Sequence, residues 1–464
     1  MPDIFKVNSP YDGHLICELD TDDEACSLTK LKTAYELASD RKKIIPLHQR
    51  IEILKRTAEL VNQRKDEFAR QAAEEGGKPL LDSKVELDRA IQGIREAANS
   101  VNRIVGREIP MGLTPGSANR KAFTIREPIG TVVAISAFNH PFNLIVHQVI
   151  PAVAVGCPVI VKPALTTPIS CLNIVKTLQE AGLPKEWCQT ALCSNEVAEK
   201  LATDPRTAFL TFIGSGKVGW SLRSKLSPGT RCGLEHGGVA PVIIEPDTDI
   251  QDALPALAKG GFYHAGQVCV SVQRIFVHEA ICKEFTSKLA KLADKLIVGN
   301  PLDEITEVGP LISEGEVRRV HQWVQEAIKS GAKLVTGGKI INKTCYKPTI
   351  LFNPPNSSNV NCHEVFGPVV NVYSYKDLKE AIDQANSLRF SFQAAIFTKN
   401  LDVAFDTAKH LNASAVMIND HTAFRVDWMP FAGYMESGLG VGGILPAMEE
   451  MTLEKMMVFR SPAL

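Results

Sequence analysis

The 464-residue chain predicts an α/β fold made of more than one lobe. Three observations carry that expectation. From residue 129 onward, short apolar β-branched runs alternate with amphipathic stretches, which is the pattern of a parallel sheet covered on both faces. Gly and Pro punctuate the boundaries between them. Hydrophobic residues make up 45% and charged residues 22% of the chain, the balance of a globular protein in water.

The elements follow in order. Residues 24–75 carry apolar side chains at three- and four-residue spacing in SLTKLKTAYELASDRK and HQRIEILKRTAELVNQRKDEFARQAAEE, so helices are expected there. EEGGKP closes the block with C-cap glycines and a proline, and a further helix is expected over roughly 81–104. KAFTIREPIG alternates like a strand. IGTVVAISAF and PVIVKPA read as buried strands around the helical or mixed stretch HPFNLIVHQVIPAVAVG. ISCLNIVKTLQEAG, WCQTALC, NEVAEKLATD, TAFLTFI, GSGKVGWSLRSKL and TRCGLE continue the alternation, and a dinucleotide-binding domain is the natural candidate. After HGGVAP a second alternating unit runs from PVIIEP to about residue 432. The tail MTLEKMMVFR is strand-like and needs a sheet to join, one that another subunit could supply.

Bulk properties exclude several classes. A net charge of −1 gives no reason to expect nucleic acid or an anionic membrane as partner. The start MPDIFKVNSPYDG has no apolar h-region and no Arg-rich pattern, so a cytoplasmic protein is expected. The longest apolar run is broken by His147, Gln148, Pro151, Gly156 and Pro158, and no membrane span is expected. Eleven cysteines are scattered without a C-x-x-C, which reads as reduced thiols and no metal site.

Four stretches carry chemistry, each with a blander reading beside it. GSGKVG (214–219) fits G-x-G-x-x-G between a strand and a helix. Gly214, Ser215, Gly216 and Gly219 would frame a phosphate at the helix N-terminus, or merely a tight turn. GLEHGG ends a strand on Glu235, which is open to two jobs, ribose ligand or general base, and to a plain surface salt bridge. AFNHPFN places Asn139 after an apolar strand, as an oxyanion donor or a helix N-cap. HEVFGP offers Glu364 to a ribose, or to a turn cap. Cys269, in FYHAGQVCVSVQR, is by default a small buried apolar residue.

Taken together, AFNHP (137–141), VKPA (161–164), FIGSGKVG (212–219), LEHGG (234–238), GQVC (266–269), EVFGP (364–368) and PFAG with ESG (430–438) resemble, in this order, the aldehyde dehydrogenase superfamily over nearly the whole chain. The resemblance implies a Rossmann-type cofactor domain (1–109 and 129–237) and an α/β catalytic domain (238–440). It also implies a small β oligomerisation element (110–128 and 441–464) and a homodimer or homotetramer. Cys269 would be the nucleophile, with Asn139 and the Cys269 N–H stabilising the oxyanion. Glu235 would be the base that hydrolyses the thioester. Lys162 would contact the adenosine ribose, Ser215 the pyrophosphate and Glu364 the nicotinamide ribose, with Phe366 in the same turn.

The chain departs from the family pattern at Leu165, where many NAD-specific members place a glutamate for the ribose 2′-OH. NADP is therefore expected to be accepted, with NAD as the alternative. His236, Ala432 and Met435 are further departures. For the substrate, HTAFRVDWMPF offers Arg425 as an anion anchor, or as a structural partner of Asp427; Phe431 lies in the same run. His140 and His147 would line the same entrance or be satisfied core histidines. Val268 stands where some phosphate-using relatives have arginine. A short aldehyde carrying a hydroxyl or one anionic group is expected. Three rivals stand beside this reading: a CoA-acylating enzyme, a hydrolase pairing Cys269 with His264, and a non-enzymatic protein on the same fold.

Overall fold

The computed structural model describes residues 4–464. Its first sheet has the strand order Gly438–Leu439, Arg231–Glu235, Phe209–Ile213, Val132–Ile135, Val159–Lys162, Cys188–Thr190. All neighbours are parallel except Gly438–Leu439, which runs antiparallel to Arg231–Glu235. VVAI and VIVK are buried at every position, as strands covered on both faces must be. The helices Leu47–Gln63, Leu80–Ser100, Asn143–Val155 and Pro168–Glu180 pack into one core on this sheet.

The second sheet has the order Lys333–Thr336, Thr349–Phe352, Val369–Tyr375, Arg274–His278, Pro241–Ile244, Gln393–Phe397, Ala415–Ile418. Only Lys333–Thr336 is antiparallel to its neighbour. A third, three-stranded sheet joins Thr452–Arg460 to Arg120–Pro128 and Glu108–Ile109. The strand-like tail thus finds its sheet within its own chain, in unbroken register from Thr452↔Pro128 to Arg460↔Arg120.

The hairpin Ile4–Asn8/Leu15–Asp20 was not expected from the sequence. Its strands are short and mostly exposed, so the period-2 apolar signal is weak. Among the described residues no helix is long and apolar enough to cross a membrane, and no cluster of His, Cys, Asp or Glu is fit to hold a metal ion.

The topology gathers the chemistry-bearing residues. Val132–Ile135, Phe209–Ile213 and Arg231–Glu235 all point their C-terminal ends the same way. Asn139, Gly214 and Glu235 therefore lie along one edge, where open α/β sheets hold ligands. Cys269 arrives from the second sheet, five residues before Arg274–His278.

Candidate active site

Cys269 sits at the end of a strained segment. The helix Ile250–Phe262 passes into a tight turn in which His264, Ala265 and Gly266 all have positive φ, at 49°, 54° and 69°. Left-handed backbone costs a non-glycine residue roughly 1–2 kcal/mol, so the surroundings must hold it. Gln267 does so. Its side-chain amide donates to His264 O and Pro310 O, both at 3.2 Å, and its Oε1 accepts from Ile312 N at 2.9 Å. A Cβ on Gly266 would come 2.2 Å from Gly367 O, so only glycine lets the turn press against the 364–368 segment.

Asn139 is no helix cap. Its Nδ2 donates to Gln267 O at 2.9 Å, two residues before Cys269, and the side chain is buried. One amide N–H is thereby fixed and the other is left for a ligand. The helix that follows, Asn143–Val155, is instead capped from afar: Glu86 Oε1 accepts from the N–H groups of Phe142 and Asn143, each at 2.9 Å. Its Oε2 takes Lys78 Nζ in a buried ion pair.

Glu235 ends its strand opposite Gly438 and forms no salt bridge among the described residues. Its Oε1 occupies the place where a Cβ on Gly442 would stand, 2.0 Å away. Burial pushes its pKa up to about 7, Arg425 opposing and Glu450 reinforcing the shift. Glu364 lies against Gly237 in the same manner, with Oε1 buried and unpartnered. Burial pushes it up to about 8. The half-buried Cys269 thiol is raised well above its ordinary value by burial and by Glu364 and Glu235, while Arg425 pulls the other way. The two carboxylates, the thiol and the guanidinium thus feel one another.

Arg425 does not pair with Asp427. Its guanidinium lies over the Phe431 ring at 3.8 Å, with Nη1 buried and unpartnered. Phe431 packs on Phe392, ring centroids 4.5 Å apart and tilted by 49°, in a small apolar cluster with Val268 and Val270, against which Cys269 packs. Asp427 is taken by Arg89, Asn143 and His147. His147, bonded to Asp427 at 2.6 Å and buried, is a core histidine and not an entrance residue. His140 is half-buried, edge-on to His264 at 6.2 Å and within electrostatic reach of Arg425. His264 forms no hydrogen bond with Cys269; both its ring nitrogens are buried without partners. That removes the geometry a Cys-His hydrolase would need.

On the nucleotide side, Ser215 is the exposed N-cap of the helix Gly216–Lys225. A Cβ on Gly214 would meet the Phe212 ring at 2.8 Å, and one on Gly219 the His236 ring at 2.0 Å, so these two glycines answer to packing. Gly216 has only ordinary neighbours. His236 Nδ1 contacts Gly214 O at 2.9 Å and its ring lies edge-on to Phe212 and Trp220. Lys162 is buried with Nζ on Asn195 Oδ1 at 3.1 Å. Leu165 is half-buried three residues on. Phe366 holds a positive φ of 47° and meets Phe138 edge-on at 5.8 Å. Sequence reasoning missed Arg89, Glu86 and the anchoring role of Gln267. The two helix residues carry no local motif, and Gln267 was legible only as part of GQVC.

A model described as the aldehyde dehydrogenase family matches residues 2–457. The 3-sulfolactaldehyde dehydrogenase of Priestia aryabhattai is 40% identical over 412 residues, covering 89% of this chain and 86% of the relative. Among solved structures, aldehyde dehydrogenase 21 from Physcomitrella patens, in complex with the reaction product succinate, is similar with TM-score 0.96 and 33% identity, over 99% of this chain and 95% of that one. Glyceraldehyde-3-phosphate dehydrogenase from Methanocaldococcus jannaschii, complexed with NADP, is similar with TM-score 0.94 and 34% identity, over 99% and 100%.

Proposed function

The chain belongs to the aldehyde dehydrogenase family and is an NAD(P)-dependent aldehyde oxidoreductase, and from that premise we propose that it oxidises a short, singly anionic aldehyde to the acid through acylation of Cys269. The observation that carries the substrate reading is Arg425, a half-buried residue whose Nη1 is buried and unpartnered, within electrostatic reach of the thiol and without an ion-pair partner. A charged donor in such a place calls for an anion. The relatives act on, or hold, a sulfonated aldehyde, a dicarboxylate product and a phosphorylated aldehyde, according to their names.

The residues fit a nicotinamide dinucleotide. Ser215 and the first N–H groups of its helix suit the diphosphate, Lys162 the adenosine ribose, and the orphaned Oε1 of Glu364 a ribose hydroxyl. Leu165 offers no carboxylate to repel a 2′-phosphate, which supports NADP acceptance. When bound, the cofactor supplies the hydride acceptor. The protein supplies the rest. The Cys269 thiol releases its proton to solvent, and the thiolate adds to the carbonyl carbon to give a thiohemiacetal; Glu235, with a pKa of about 7, is kept for the water step. The free N–H of Asn139 Nδ2 and the Cys269 N–H hold the oxyanion. Oxidation at that carbon leaves a thioester on Cys269. Glu235 then takes a proton from water as the oxygen attacks, and collapse returns the thiol and releases the carboxylic acid. A carboxylate at this place favours water over CoA as acceptor.

The test is Arg425→Ala. KM for 3-sulfolactaldehyde should rise at least about tenfold more than KM for propanal, since a hydrogen bond to a charged group is worth ~1.5–3 kcal/mol. Equal changes for both substrates would remove the anchor.

A further inference from the structure

Four cations stand around the substrate end of the site, and three of them are answered. Lys78 is paired with Glu86 and Lys259 with Asp82. Arg89, on the helix Leu80–Ser100, reaches Asp427 twice, Nε to Oδ2 at 3.2 Å and Nη2 to Oδ1 at 3.0 Å. Arg425, only two residues from Asp427, is left without a carboxylate partner. Asp427 cannot easily swing to it. Its Oδ1 also accepts from Asn143 Nδ2 at 3.1 Å and lies 2.6 Å from His147 Nε2, and the residue is 2% exposed. Burial keeps His147 below its ordinary pKa, so it adds no charge at pH 8. Arg89 and Arg425 do sense each other: after burial itself, the Arg89 charge is what depresses Arg425 most.

We infer that Asp427 is a specificity-determining residue which, by holding Arg89 in an ion pair, leaves Arg425 as the one of these four cations free to meet a tail, and so selects a singly charged tail over a doubly charged one. This rests on Arg425 being the anchor. A sulfonate or carboxylate brings one negative charge and is matched. A phosphate monoester brings close to two at pH 8, its second pKa lying near 6. The second charge would be taken out of water with no counter-ion, beside the Asp427 carboxylate, and that is costly. Arg89 is near enough to answer it but is already spent. Val268, apolar and buried next to Cys269, adds no further cation.

Removing either charge of the Arg89–Asp427 pair should shift the preference for anionic tails, upward without the carboxylate and downward without the guanidinium. In the full-length enzyme with saturating NADP at pH 8, kcat/KM is measured for glyceraldehyde 3-phosphate, 3-sulfolactaldehyde and propanal. Taking ratios cancels any loss common to all substrates. Asp427→Asn keeps an amide oxygen for its partners but frees the Arg89 charge. The ratio of phosphorylated to sulfonated aldehyde should rise about tenfold, the scale of one added charge at partly screened range. Arg89→Met leaves Asp427 facing Arg425. Both anionic aldehydes should then fall about tenfold against propanal. If Asp427→Asn proves insoluble, Arg89→Met alone decides the matter. A ratio unchanged to within about twofold in either soluble variant would overturn the inference, since contacts in one charged network normally couple by more than that. Arg425→Ala, measured alongside, separates the two levels. If it leaves the preference for anions over propanal intact, the anchor itself is wrong. If it abolishes that preference while the other variants do nothing, only the role of Asp427 is wrong.

Discussion

Glu235 must be an acid when it leaves the thiol alone and a base when water attacks, and its surroundings set it between the two. Burial against Gly442 raises its pKa from the ordinary 4.5 to about 7. The folded state therefore prefers the protonated form. The stability that preference gives is full below about pH 4.5 and is lost as pH rises through about 7. Glu235→Gln has no such loss, so it should melt higher than the parent at pH 8 and show no advantage at pH 4.5. Its steady-state turnover should fall by about a hundredfold or more, the scale of a lost general base. In the parent, turnover should climb with pH through about 7. Calorimetry at the two pH values and a pH–rate profile check both halves; a Gln variant that turns over normally would remove Glu235 from the base role. Cys269, Glu235, Asn139 and Glu364 all fall in short motifs, because each sits near the end of a strand or in a tight turn, with glycines close by in every case but Asn139. Arg89 and Glu86 were not legible. They lie mid-helix among other charges, and only the packing of Leu80–Ser100 against Asn143–Val155 brings them to the site.

At the scale of elements, the sheet strands were readable because complete burial forces uninterrupted β-branched runs, and the helices because one face must stay polar. The pairing of Arg425 could not be read: Asp427 is its neighbour in sequence, yet Arg89, 338 residues from Asp427 along the chain, holds that carboxylate. The tail strand was read correctly as a strand; the family resemblance groups it with residues 110–128, and in the fold it pairs with Arg120–Pro128. Thr452–Arg460 is an edge strand, and Met456 and Phe459 are 56% and 52% exposed along it. An exposed apolar edge invites pairing. We propose that this strand joins subunits in a homodimer or homotetramer. Met456→Asp with Phe459→Asp should lower the mass seen by light scattering to that of a smaller species; an unchanged mass would place the interface elsewhere.

At the scale of the whole molecule, two mostly parallel sheets meet at one cysteine. The first brings Asn139, Glu235 and the Gly214–Ser215 turn along a single edge, and the second delivers Cys269 on a turn strained at His264 and Ala265 and locked by Gln267. Ten other cysteines are scattered through the chain. Burial alone raises Cys188 to about 12 and leads the rise of Cys157 to about 11, with no carboxylate near either. Among the described residues, only Cys269 combines a carboxylate poised near neutrality with an amide donor and a guanidinium that has no ion-pair partner. The most direct measurement is a rapid acid quench of the Glu235→Gln enzyme during its first turnover with NADP and a short aldehyde that the parent oxidises, followed by peptide mass spectrometry. A burst of NADPH close to one per site, with an acyl group on the peptide holding Cys269, is the result predicted. A burst with Cys269 unmodified, or with the acyl group on another cysteine, would contradict the account at its centre.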